Sequence, residues 1–129
     1  MRRLTLSIVT AVALVAAGCG SKSDENQVKE VMGDYIAAAA DGKGEEACKK
    51  LTPEAKRSFT AQTNISCEKG IEQISKTLTD AQRKKAKDLE FEARINGDRA
   101  AVSYDKPAGS GRNTATLQKR DGDWLIASA

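Results

Sequence analysis

The sequence predicts an α+β domain, with N-terminal helices packed on a curved antiparallel sheet of about four strands. Three observations predict it. Apolar residues recur at helical spacing between Val28 and Leu78. From Leu89 onward they alternate with polar residues, the period of a half-buried strand. Asn96-Gly97 and Asp121-Gly122-Asp123 then divide that second half into hairpins.

The chain opens with Met1-Arg2-Arg3 and an apolar run from Leu4 to Ala17, which ends at Gly18-Cys19. A basic start, an apolar middle and a small-residue exit describe an export signal. The run is too short for a membrane span, which needs roughly 20 apolar residues. Val15-Ala16-Ala17-Gly18-Cys19 resembles the lipobox of bacterial lipoproteins. Ala16 stands where that family usually has leucine. The resemblance implies that the Cys19 thiol receives a diacylglyceryl group and that cleavage before it makes Cys19 the first mature residue. Two acyl chains are what stable anchoring needs. The expected division is residues 1–18 as signal peptide, 19–23 as lipidated tether and 24–129 as the domain. The expected location is extracytoplasmic, lipid-anchored to the cell membrane.

Val28, Val31, Met32, Tyr35, Ile36 and Ala39 form one face of a first helix. Ser23 or Asp24 can cap its start, and Asp41-Gly42 ends it. A short second helix is expected from about Gly44 to Lys50, burying Ala47, Cys48 and Leu51. Thr52-Pro53 begins a third, with threonine as N-cap and proline where its missing N–H costs nothing. Phe59 is its expected core residue, and Gln62 to Ser66 reads as loop. Cys67, Ile71, Ile74 and Leu78 share one face of a fourth helix. Thr79-Asp80-Ala81-Gln82 is a capping-box pattern for a further turn or two. Arg83, Lys84, Lys85 and Lys87 then read as a solvated basic face.

Leu89, Phe91, Ala93 and Ile95 point inward from the first strand, and Ala100, Val102 and Tyr104 from the second. A loop from Lys106 to Arg112 leads to a third strand, Asn113 to Arg120, with Ala115 and Leu117 inward. Trp124 and Ile126 share one face of the last. The inward face is expected to lie on the first and fourth helices.

Composition removes several functions. The chain holds no histidine, which excludes imidazole catalysis and His-based zinc sites. No catalytic residue, metal or cofactor is assigned. Loss of Arg2 and Arg3 with the signal takes away most of the positive excess, so nucleic acid has no electrostatic support as a partner. With Cys19 lipidated, Cys48 and Cys67 remain. Two cysteines in an exported domain read as one disulfide, closing a loop of about 19 residues worth about 3 kcal/mol in the chain-entropy model.

The first helix with its stop at Asp41-Gly42, the Thr52-Pro53-Glu54 start, and the endings Gly97-Asp98-Arg99-Ala100-Ala101-Val102 and Asp121-Gly122-Asp123-Trp124-Leu125-Ile126 resemble the NTF2-like (cystatin-like, SnoaL-type) superfamily. They look like small actinobacterial lipoproteins of that superfamily. The resemblance implies an α+β cone, in which Tyr35, Phe59, Phe91, Tyr104 and Trp124 are the residues placed to line a pocket. It also implies a homodimer through the sheet as one partner, beside a small apolar ligand or an envelope protein. The function expected is a non-enzymatic binding or interaction domain held at the membrane through Cys19. The alternatives are a pocket enzyme of the isomerase or cyclase type and a structural accessory subunit of an envelope complex. An enzyme of that type needs an inward-facing carboxylate beside a tyrosine hydroxyl. No acid falls on an inward sheet position.

Overall fold

The computed structural model describes residues 22–129; the signal and Cys19 readings lie outside them. Five helices precede four strands: α1 Asp24–Ala40, α2 Gly44–Lys49, α3 Pro53–Thr63, α4 Cys67–Thr77, α5 Asp80–Lys87, β1 Glu92–Asn96, β2 Arg99–Asp105, β3 Arg112–Arg120 and β4 Asp123–Ser128. The strands form one antiparallel meander in the order β1-β2-β3-β4. The α+β class is as the sequence implies.

Local chemistry sets the helix ends. Ser23, Thr52, Ser66 and Thr79 each accept a backbone N–H two or three residues into their helix. Thr79 and Gln82 complete a reciprocal capping box. After α1 the chain turns at Gly42, whose φ of +73° suits glycine. There the Lys43 N–H donates to Ala38 O and the Gly42 N–H to Ala39 O, at 2.9 and 3.2 Å, a Schellman stop. α3 runs on through Gln62 and Thr63, where a loop was expected. Asn64 ends it in the left-handed conformation at φ 57°.

Among the described residues the core is continuous. Val28, Met32 and Ile36 of α1 meet Ala100, Val102, Tyr104, Ala115, Leu117, Trp124 and Ile126 of the sheet. α1 is the helix that covers the sheet, touching β1, β2 and β4. α4 was expected there too, but packs chiefly on α1, α2 and α3. The reason is covalent. Cys48 and Cys67 form a disulfide with a Cα–Cα distance of 6.1 Å, which pins α4 to α2. The two backbones touch closely, since a Cβ added to Gly44 would lie 2.3 Å from Glu68 O.

Ile74 departs from its expected place. It is on the stripe, but 51% exposed, because no element covers that part of α4. Ser75 is buried instead. The first hairpin loop is Gly97-Asp98, one residue later than the Asn96-Gly97 signal, since Asn96 pairs with Arg99.

The two sheet edges differ. The outer edge of β4 is closed by the α2–α3 link. Thr52 N–H donates to Ile126 O and Ile126 N–H to Lys50 O, both at 2.8 Å. The outer edge of β1 has no such cover among the described residues.

Candidate functional site

The largest of the described clefts, about 740 Å3, lies between α1, α2 and the start of β4. Val31, Ala37 and Ala38 line its apolar wall on α1, with Trp124 and Leu125 opposite. Its rim is charged, and most of those charges are paired. Lys50 meets Asp34 at 3.2 Å, and Lys43 meets Glu46 at 3.8 Å. Exposed pairs of this kind contribute little to stability.

A tighter cluster lies where α1 begins. Asp24 Oδ1 accepts from Lys119 Nζ at 2.8 Å and from the Trp124 indole N–H at 3.0 Å. The same ammonium stands 5.7 Å from the Trp124 ring centre. One carboxylate thus ties the first turn of α1 to β3 and β4. It also suits the positive end of the helix dipole. Hydrogen bonds from Lys119 and then Trp124 hold the Asp24 carboxyl below its ordinary value of 3.8, outweighing its partial burial.

That shift has a consequence for stability. A carboxylate with a depressed folded pKa stabilises the fold above its unfolded value. The contribution is lost as pH falls through the folded pKa. Glu30, Asp41 and Glu45 are lowered by Lys22, Lys87 and Lys49, and Glu54 by a hydrogen bond from its own backbone N–H with the Arg120 side chain adding to it, so they act in the same sense. The unfolding temperature is therefore expected to fall as pH drops from about 5 to about 3. Asp24→Asn is expected to start lower at neutral pH and to fall less over that range. Thermal melts at stepped pH check this. Parallel curves for the two proteins would remove Asp24 from the account.

No family model, curated protein or solved structure matches the chain.

The five aromatic residues expected to line a pocket fall in separate places. Phe91 and Tyr104 meet with ring centres 5.8 Å apart, on the inward side of the sheet. Tyr104 is buried and Phe91 half-buried. Phe59 packs from α3 over Gly70 of α4, where an added Cβ would come within 2.2 Å of its ring. Trp124 joins the Asp24 cluster. Tyr35 lines a different groove.

That groove, about 250 Å3, is the most apolar of the surface depressions described. Tyr35, Ile36 and Ala39 of α1 face Ile74 and Leu78, with Ala86 of α5 and Pro107 of the β2–β3 loop closing it. The exposure of Ile74 is explained here, since it forms one wall. Burial raises the Tyr35 pKa, with Tyr104 adding to the effect, so its hydroxyl stays protonated at neutral pH.

Of the other assigned residues, Cys48 and Cys67 form the expected bond and Cys19 lies outside the described residues. Among the described residues no group of three or more His, Cys, Asp or Glu is gathered as metal ligands. No described helix is long and apolar enough to cross a membrane. Sequence reasoning missed Asp24 and Lys119. One signal was present: a buried tryptophan needs an acceptor for its N–H. Which residue supplies it depends on packing across 100 positions.

Proposed function

We propose that this protein is a membrane-anchored lipoprotein of the cell envelope, held through lipid on Cys19. Its domain, an NTF2-like cone, acts by binding or contact, not catalysis. The observation that carries the contact reading is the electrostatic state of the clefts. In the largest described cleft Lys50 pairs with Asp34 and Lys43 with Glu46, and every carboxylate shift resolved among the described residues is downward, away from neutral pH. A general acid or base works best with a pKa near the operating pH. The groove at Tyr35 has the chemistry for a small, mainly apolar ligand, with aliphatic walls and a few polar groups, the Tyr35 hydroxyl and the Lys106 and Asn113 side chains.

The anchor accords with the position of the Asp24 cluster. From Cys19 to Asp24 the chain can span at most about 18 Å. The cluster holds the domain end of this tether to the sheet, so the domain would stay close to the bilayer.

The anchor is tested by expressing the full chain in a bacterium with labelled palmitate. The wild-type protein is expected in the membrane fraction, carrying label. Cys19→Ala is expected to lose the label and the membrane association together. A Cys19→Ala protein that still fractionates with membrane would sink the lipid-anchor reading.

A further inference from the structure

The open edge of β1 carries a pattern that fits itself. The Lys119 N–H donates to Asp98 O at 2.7 Å, which sets the hydrogen-bonding phase across β2. Even-numbered peptide groups of β2 face β3, and odd-numbered ones face β1. Glu92, Arg94 and Asn96 therefore bond to their β2 partners Ser103, Ala101 and Arg99. The N–H and C=O groups of Ala93 and Ile95 point the other way. No backbone group among the described residues meets them. β1 is also the least covered strand, with Ala93 half-buried and its other four residues exposed. Ile95 is 37% exposed.

An edge of this kind templates another strand. We propose that the strand it receives is β1 of a second copy, antiparallel, about a two-fold axis through Ala93. This deepens the contact reading above and rests on it, while standing apart from the Cys19 anchor. Three features select that register. The outward peptide groups of Phe91, Ala93 and Ile95 become the alternate hydrogen-bonded pairs of the new ladder. On the outer face Glu92 comes opposite the partner's Arg94, and symmetry makes the pair twice. On the helix side Ile95 comes opposite the partner's Phe91, covering the exposed isoleucine, while the small Ala93 occupies the axis. The neighbouring two-fold registers are worse. Centring on Glu92 sets Glu92 against its own copy, and centring on Arg94 sets Arg94 against its own copy, so each puts like charges directly opposite.

The same logic argues against the flat outer face as the contact. There Ser103 and Thr114 hydrogen-bond to one another at 3.1 Å, and Thr116 and Ser128 at 2.7 Å. The edge, by contrast, has unmet donors and acceptors. Five residues of strand make a small interface, of the weak and reversible class.

The test uses residues 22–129, which contain the core cluster and all nine described elements. Sedimentation velocity over a concentration series is expected to show a reversible monomer–dimer equilibrium. Amide exchange followed by NMR is expected to show Ala93 and Ile95 exchanging fast when dilute and slowly when concentrated. Arg94 stays protected throughout, because its N–H is already used within the chain. Ala93→Pro removes only an outward N–H, a place where an edge strand tolerates proline, and is expected to abolish the dimer. Arg94→Glu turns two attractive pairs into repulsive ones and is expected to weaken association by about tenfold or more. Adding Glu92→Arg to Arg94→Glu recreates the pairs and is expected to restore it. Arg112, 3.2 Å from Glu92, lies beside both positions and can meet the carboxylate at either. A protein that stays monomeric at every concentration overturns the proposal. So does a dimer that survives both Ala93→Pro and Arg94→Glu, since its contact would lie elsewhere.

Discussion

Trp124→Ala is expected to lower the unfolding free energy by about 3–5 kcal/mol, the range for deleting a large core aromatic. Trp124 is only 3% exposed, and its ring sits in the last strand against the start of α1. Truncation leaves a cavity in the central layer. It also leaves Lys119 without the ring it stands over and Asp24 without one of its two donors. A domain of this size has roughly 5–15 kcal/mol in total, so the loss is a large share. Urea unfolding followed by circular dichroism measures it. Trp124→Phe separates the two contributions, since it restores most of the apolar volume without the indole N–H. It is expected to fall between the other two. An alanine variant within about 1 kcal/mol of wild type would show that the site collapses without a cavity, against the tight packing described.

Removing the disulfide ranks next. Cys48→Ala with Cys67→Ala is expected to destabilise the fold by about 3 kcal/mol, the chain-entropy value for a loop of this length. The measured separation is 19 residues. The effect should be uneven. α2 has six residues, too few for a helix to persist alone. It is held by its contacts with α1 and by the bond to α4. Amide exchange is therefore expected to rise first in α2 and in the Lys50–Thr52 link, which closes the β4 edge. The β2 and β3 amides should stay protected. Uniform loss across the sheet would mean that the bond stabilises only through the unfolded chain. No change in stability would mean that α2 and α4 hold together without it.

Much of the fold could be read from local pattern. The caps at Ser23, Thr52, Ser66 and Thr79 each act within three residues, so short-range chemistry suffices to place them. The alternation of Ala100, Val102 and Tyr104 names the buried face of β2 because strand geometry leaves two faces only. The disulfide was legible because reading Cys19 as lipidated leaves two cysteines and a single pairing. The candidate sites were less legible. Ile74 follows the helical stripe perfectly well, yet no element covers it, and periodicity carries no information about what lies opposite. Tyr35 and Trp124 look alike as large inward side chains, but one lines an apolar groove and the other completes an ion cluster.

The sequence by itself determined the order of elements, the helix N-caps and the inward face of each strand. These follow from propensity, capping and periodicity, which act over a few residues. Only the tertiary structure decided that α1 covers the sheet, that α4 lies on α2, that Asp24 meets Lys119 and Trp124, and that among the described residues the β4 edge is covered and the β1 edge is not. Each of those outcomes depends on which surfaces meet in three dimensions. Residues up to 100 positions apart share the result, and no local pattern encodes it.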